Sequence, residues 1–350
     1  MQSVYRMVPF LVFALIACVG PQGVEGAQGA LGTPGNQGPA GPEGPAGPEG
    51  PEGQPGAPGK APIDSRTELQ LPGLFYPEGI AAAKDGSFYV GGLGTGAIVR
   101  FAPGAVIAEA FTEPRPAFGV YGMEVDEARD LVWACTYDDT LPPAQPAHLK
   151  AYDRATGAEV ETHAMPGESG FCNDVTLDDK GNVYATDSFA NTIVKLPAGG
   201  GGLETWAADA AFAAQPWEIT LNGIVFDGKD HLYVAKTVTG ELFSIAVKAD
   251  GSAGDPELIA VSEALESPDG LEMAGPNTLV VVEHSAGNVV KLKLGDAGAE
   301  KMIFANGLVQ PTTAAITDDS AWVVEGQLGY LFGAPGEPEL PFRVARVGIP

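Results

Sequence analysis

The chain runs to 350 residues, with 48 glycines, 30 prolines, 3 cysteines and a formal net charge of -26. Its hydrophobic fraction of 45% allows a sizeable core, while the acidic excess excludes a nucleic-acid partner, which requires clustered Lys and Arg to neutralise phosphates. Residues 20–59 hold fourteen of the glycines and nine of the prolines, whereas residues 61–350 hold 41 acidic against 17 basic side chains, so two different objects are joined and the second carries the charge. Such a surface favours solubility and cations.

Residues 1–19 contain one basic side chain, Arg6, followed over residues 8–17 by an apolar stretch. It is too short to span a bilayer as a helix and predicts an export signal. Leu15, Ile16, Ala17 and Cys18 then resemble a bacterial lipobox. The resemblance implies removal of residues 1–17, acylation of Cys18 and attachment to the cell envelope, at the outer membrane or cell surface, because stable anchoring needs more than one acyl chain. A plain secretory signal with an incidental cysteine is the competing reading.

From Gly20 to Gly59 glycine falls at every third position, with triplets such as Gly41-Pro42-Glu43 and Gly44-Pro45-Ala46. Only glycine fits the crowded axis of three wound polyproline II chains, so the period is collagen-like. Residues 18–60 are therefore read as a lipidated cysteine followed by a stalk, which at ~3 Å per residue extends roughly 120 Å. Two readings stay open, a homotrimer wound through the stalk and a single-chain, semi-rigid spacer.

Beyond residue 60 short apolar runs alternate with Gly, Asp and Asn turns and no long helical period occurs, which predicts an all-β domain over residues 61–350. One unit recurs six times, at Glu78-Gly79-Ile80, Tyr121-Gly122-Met123, Asn173-Asp174-Val175, Asn222-Gly223-Ile224, Asp269-Gly270-Leu271 and Thr313-Ala314-Ala315. A hairpin follows each, and the spacing lies between 43 and 52 residues. A hairpin period of this size is a propeller blade, in which each sheet buries its faces against its neighbours. Six units predict a six-bladed β-propeller, with residues 341–347 returning to complete the first or the last blade.

The strands that open the units line a central channel, so Glu78, Tyr121, Asn173, Asn222, Asp269 and Thr313 are expected in one ring. Two carboxylates and two amides supply hard oxygen ligands, which suit Ca²⁺ or another divalent cation and suit structural Zn²⁺ poorly. At these residues the domain resembles the six-bladed propeller family of gluconolactonase, regucalcin and luciferin-regenerating enzyme. The matching segments are Phe75-Tyr76-Pro77-Glu78-Gly79-Ile80, Asn173-Asp174-Val175, Leu221-Asn222-Gly223-Ile224 and Pro268-Asp269-Gly270-Leu271.

The resemblance implies a divalent cation, usually Ca²⁺, held by Glu78, Asn173, Asn222 and Asp269. It also implies hydrolysis of a small-molecule lactone or phosphoester, with an aryl ester as a related substrate and Asp269 as general base or nucleophile. A cation-bound aspartate is a weak base, so His284 is a second catalytic candidate; a histidine follows the corresponding strand in the more distant paraoxonase-like relatives. His148, His163 and His231 are assigned no role. Sugar lactonases of the family carry an arginine where this chain has Phe171, and Tyr121 joins Phe171 and Thr313 in the expected pocket wall, which favours an apolar acyl or aryl group. A noncatalytic propeller that binds a ligand or partner and uses the cation as a brace is the alternative. Cys135 and Cys172 are read either as a disulfide or as two buried thiols.

Overall fold

The computed structural model describes residues 64–138, 147–167, 170–215 and 218–350. The signal segment, Cys18 and the Gly-X-Y stalk lie outside these residues. The chain divides into two compact units, Met1–Ala61 and Pro62–Pro350. The second is a six-bladed β-propeller of six four-stranded antiparallel sheets.

The inner strands are Pro77–Ala82, Phe118–Asp126, Cys172–Leu177, Leu221–Phe226, Pro268–Met273 and Pro311–Thr317, for blades one to six in order. In blades one to five the four strands follow one another from the inside outwards. Blade six differs. Its third strand is Arg343–Gly348, which settles the place of the C-terminal segment, and its outermost strand is Glu68–Gln70 from the beginning of the domain. Glu68, Leu69 and Gln70 pair with Ala345, Val344 and Arg343, so the ring is closed by three residue pairs.

Alternating apolar residues on each strand give every sheet two buried faces, and the core consequently divides into six clusters, one between each pair of blades. Ile80, Phe88 and Trp322 pack between blades six and one, and Trp133, Val175 and Val183 between blades two and three. The same spacing of sheets forces glycine at hairpin ends. Gly240 and Gly287 adopt positive φ, and a Cβ at either would collide with the carbonyl oxygen of Leu265 or Leu308 from the next blade.

The closure is fastened by Arg66, which is 6% exposed. Its guanidinium lies 4.9 Å from the Phe88 ring centre and 5.3 Å from that of Trp322. It pairs with Asp64 at 2.6 Å and donates to Ala105 O at 2.9 Å and Gly86 O at 3.1 Å. Three part-exposed acceptors thus converge on one buried cation, and losing it removes its charge-assisted hydrogen bonds together with the packing of the guanidinium between two rings. In Arg66→Ala, urea unfolding is expected to show a loss of about 2 kcal/mol, from the cation–π contacts and hydrogen bonds removed; a loss below about 0.5 kcal/mol would place the closure elsewhere.

Candidate metal centre

Each inner strand carries one register shift against its neighbour, between Pro77 and Ile80, Val120 and Met123, Cys172 and Val175, Leu221 and Ile224, Pro268 and Leu271, and Pro311 and Ala314. A bulge re-aims the side chain it carries. The residues at its first position are Glu78, Tyr121, Asn173, Asn222, Asp269 and Thr312. The sixth corrects the sequence register by one residue. Pro311 pairs with Glu325 as Pro77 pairs with Gly92, which makes Thr312 the counterpart of Glu78 and Thr313 the counterpart of Gly79. Two threonines followed by alanine offer no glycine to mark the second position, hence the slip. The Thr312 hydroxyl donates to Glu78 O at 2.7 Å, while Thr313 packs against Gly270 of blade five.

The four proposed ligands occupy distinct environments. Glu78 is 8% exposed, and its Oε2 has no hydrogen-bond partner. Its pKa is raised well above the ordinary carboxylate value, by burial and then by the charges of Asp269 and Asp174. Asp269 is pushed up to about 8 by burial and by Asp174, and a hydrogen bond from Asn222 opposes the rise. Asn222 and Asp269 are thus hydrogen-bonding neighbours, and Glu78 lies near enough to feel the charge of Asp269. Asn173 donates through Nδ2 to Ser188 Oγ at 2.9 Å, and Ser188 donates to Leu221 O at 2.6 Å; this use of the nitrogen leaves the amide oxygen as the end suited to a cation. Immediately before Asn173, a disulfide joins Cys172 to Cys135, Cα atoms 5.0 Å apart, and ties the strand to blade two.

Three further carboxylates belong to the same field. Asp174 stands where Gly79, Gly122, Gly223 and Gly270 stand in other blades, with Oδ1 accepting from Val175 N at 2.9 Å and Oδ2 from Ile224 N at 3.1 Å. Burial still pushes it up to about 7. Glu124 and Glu272 each lie three residues beyond a ring position; burial and then Asp174 push Glu124 up to about 8, and burial followed by Glu124 and Asp174 raises Glu272. The ring-position expectation overlooked all three, although the spacing 121 to 124 and 269 to 272 repeats in the sequence. Among the described residues, none of these five carboxylates forms an ion pair with Lys or Arg.

His284 follows the second strand of blade five, Thr278–Glu283. Its Nδ1 lies 3.0 Å from Pro311 O and 3.5 Å from Asp269 Oδ2. The carbonyl can only accept, so Nδ1 carries the hydrogen and Nε2 of the neutral ring keeps its lone pair. Burial lowers the pKa of this histidine. Two of the three expected wall residues meet, whereas Thr313 lies against Gly270. Tyr121 and Phe171 are in edge contact with ring centres 4.8 Å apart, and the amide of Phe171 donates to Asp187 Oδ1 at 2.9 Å. Away from the ring, Asp227, Asp230 and His231 cluster at the start of blade four's second strand, where Asp227 Oδ1 accepts from the amides of Lys229, Asp230 and His231. That cluster is turn chemistry.

Raised carboxylates fix a pH dependence. In the unfolded chain these groups ionise near their ordinary values, whereas the folded channel keeps protons up to about 7 or 8. The unfolded state therefore binds fewer protons between those limits, and stability falls as pH rises through them. The metal-free protein is expected to melt at a lower temperature at about pH 8 than at about pH 5.5, and millimolar Ca²⁺ to raise Tm more at the higher pH, since a cation binds the ionised forms. Differential scanning calorimetry checks both; a cation effect that is absent or equal at the two pH values contradicts the expectation.

Comparisons with known proteins agree with the architecture. The collagen triple helix repeat (20 copies) family matches residues 18–64. A comparison with curated proteins found no significant match. Among solved structures, the chain is similar to the PQQ-bound aldose sugar dehydrogenase of Streptomyces coelicolor, with TM-score 0.59 and 14% identity over 81% of this chain and 96% of that one. It is similar to a gluconolactonase of Xanthomonas campestris, with TM-score 0.55 and 16% identity over 78% and 97%. Virginiamycin B lyase of Staphylococcus aureus gives TM-score 0.55 and 12% identity over 81% and 98%. At these identities the likeness is one of fold alone.

Proposed function

We propose that the chain is a divalent-cation-dependent hydrolase of the gluconolactonase and regucalcin type, acting on a small-molecule lactone, aryl ester or phosphoester. Glu78, Asn173, Asn222 and Asp269 would hold the cation, with Ca²⁺ the ion best matched to two carboxylates and two amide oxygens. The observation that carries this reading is the buried, unpartnered Oε2 of Glu78 in a channel whose carboxylates pair with no Lys or Arg among the described residues. Such a group is costly unless a ligand satisfies it.

When bound, the cation polarises a carbonyl or phosphoryl oxygen and stabilises developing negative charge. The remaining work falls to the chain. Asp269 and Pro311 O hold the His284 ring in one tautomer, so that Nε2 accepts a proton from water or a hydroxyl nucleophile. Asn222 restrains Asp269 by its hydrogen bond, and Ser188 restrains Asn173.

Export, acylation at Cys18, a position at the cell envelope and a trimer wound through the stalk belong to the same proposal. The collagen repeat supports the trimer. Conversion of Cys18 to Ala is expected to release the protein from membranes.

Calorimetric titration with Ca²⁺ is expected to show binding by the wild type and a loss of at least about 100-fold in Asp269→Asn. His284→Gln is expected to keep cation affinity while kcat falls by about 10² or more. A panel of lactones, aryl esters and phosphotriesters, run with and without chelator, supplies the substrate. Cation binding without chelator-sensitive turnover of any of them assigns the ring to bracing a noncatalytic binding domain.

A further inference from the structure

A recess of about 240 Å³ opens between blades one and two, lined chiefly by Leu93, Phe118, Tyr121, Tyr137, Leu331 and Phe332. Among the described residues no charged side chain lines it, in a chain whose net charge is -26. Tyr121 occupies the ring position of blade two and also lines the recess, so one residue belongs to both the recess and the ring of the candidate metal centre. Its tyrosine wall is braced by aromatic packing. Phe171 meets Tyr121 at 4.8 Å and Tyr137 at 5.7 Å, and Phe189 meets Phe171 at 4.9 Å between ring centres.

The facing wall comes from an excursion between the second and third strands of blade six. Its short helix, Leu328–Leu331, is tied down by Gln310, whose Oε1 accepts from Gly329 N at 2.7 Å. Gln327, only 3% exposed, fastens the far side through both ends of its amide to the backbone of Glu339. Phe332 is nevertheless 69% exposed and Leu331 37%. An anchored segment thus presents two uncovered apolar side chains at the mouth of an uncharged recess.

We propose that this recess seats the apolar arm of the substrate, an aryl ring or a short acyl chain attached to the ester or lactone cleaved at the ring. The volume is ample, since a cavity of about 150 Å³ accommodates benzene. Among the described residues the lining offers a polyhydroxylated acid two tyrosine side chains but no carboxylate, amide or cationic side chain, so its many hydroxyls are poorly matched here. This assignment rests on the hydrolase reading, but its first test does not require turnover.

The test uses the full chain with Ca²⁺ and two stable lactams as probes, γ-phenyl-γ-butyrolactam and unsubstituted γ-butyrolactam, titrated by calorimetry. The phenyl lactam is expected to bind at least about tenfold more tightly than the bare ring. Phe332→Asp, at an exposed position that the fold tolerates, is expected to remove most of that preference while leaving Ca²⁺ affinity unchanged. Where a lactone is turned over, the same variant is expected to lower the ratio of kcat/KM for phenyl-bearing over unsubstituted lactone by a similar factor. Equal affinity for the two lactams, no binding of either, or a preference that survives Phe332→Asp overturns the assignment. Self-association of the wild type that disappears in Phe332→Asp, without lactam binding, assigns the recess to a contact between copies and also overturns it. A wild type that binds the phenyl lactam but hydrolyses nothing keeps the recess and removes the hydrolase.

Discussion

Everything at the channel depends on how closely six inner strands approach when a ring of sheets closes. At the position after each ring residue a side chain has almost no room: a Cβ at Gly79 or Gly223 would run into the carbonyl oxygen of Tyr121 or Asp269 in the next blade. The bulge that admits this approach also turns the preceding residue out of the ladder. Crowding and chemistry are therefore two results of one backbone feature, repeated in six sheets. Where the crowded position is not glycine, as at Asp174 and Thr313, the neighbouring blade supplies the space with Gly122 or Gly270.

The electrostatics follow from that geometry. Carboxylates drawn to one axis lose water and repel one another, and the fold offers no Lys or Arg in compensation among the described residues. Elsewhere the molecule does compensate: Glu283, fully buried, is paired with Lys301 at 2.7 Å, and Lys150 with Glu159 at 2.7 Å. The omission is thus local to the channel, the pattern expected where consistency has been given up for function.

The architecture was readable in the sequence because each blade is a local hairpin structure with its own turn residues, so six copies reinforce one another. The ring was readable in five blades, where an acidic, amide or aromatic residue precedes glycine or Asp174. In the sixth, Thr312 and Thr313 look alike and only strand pairing separates them. Glu124 and Glu272 escaped because their importance depends on meeting across the channel. The pairing of Cys135 with Cys172 likewise depends on the placement of adjacent blades, which spacing along the chain does not encode. The wall formed by Leu331 and Phe332 belongs to an irregular excursion with no period to detect.

The closing strand has a mechanical consequence. Glu68–Gln70 is the first strand of the domain and the outermost of the closing blade, and the polypeptide leading into it is the one that carries the Gly-X-Y repeat. Tension along that polypeptide reaches Arg66 before it reaches the strand, at the point where the guanidinium is wedged between blades one and six. A load large enough to withdraw Arg66 would peel three residue pairs and open the ring, whereas any smaller load is borne by a side chain already locked in place.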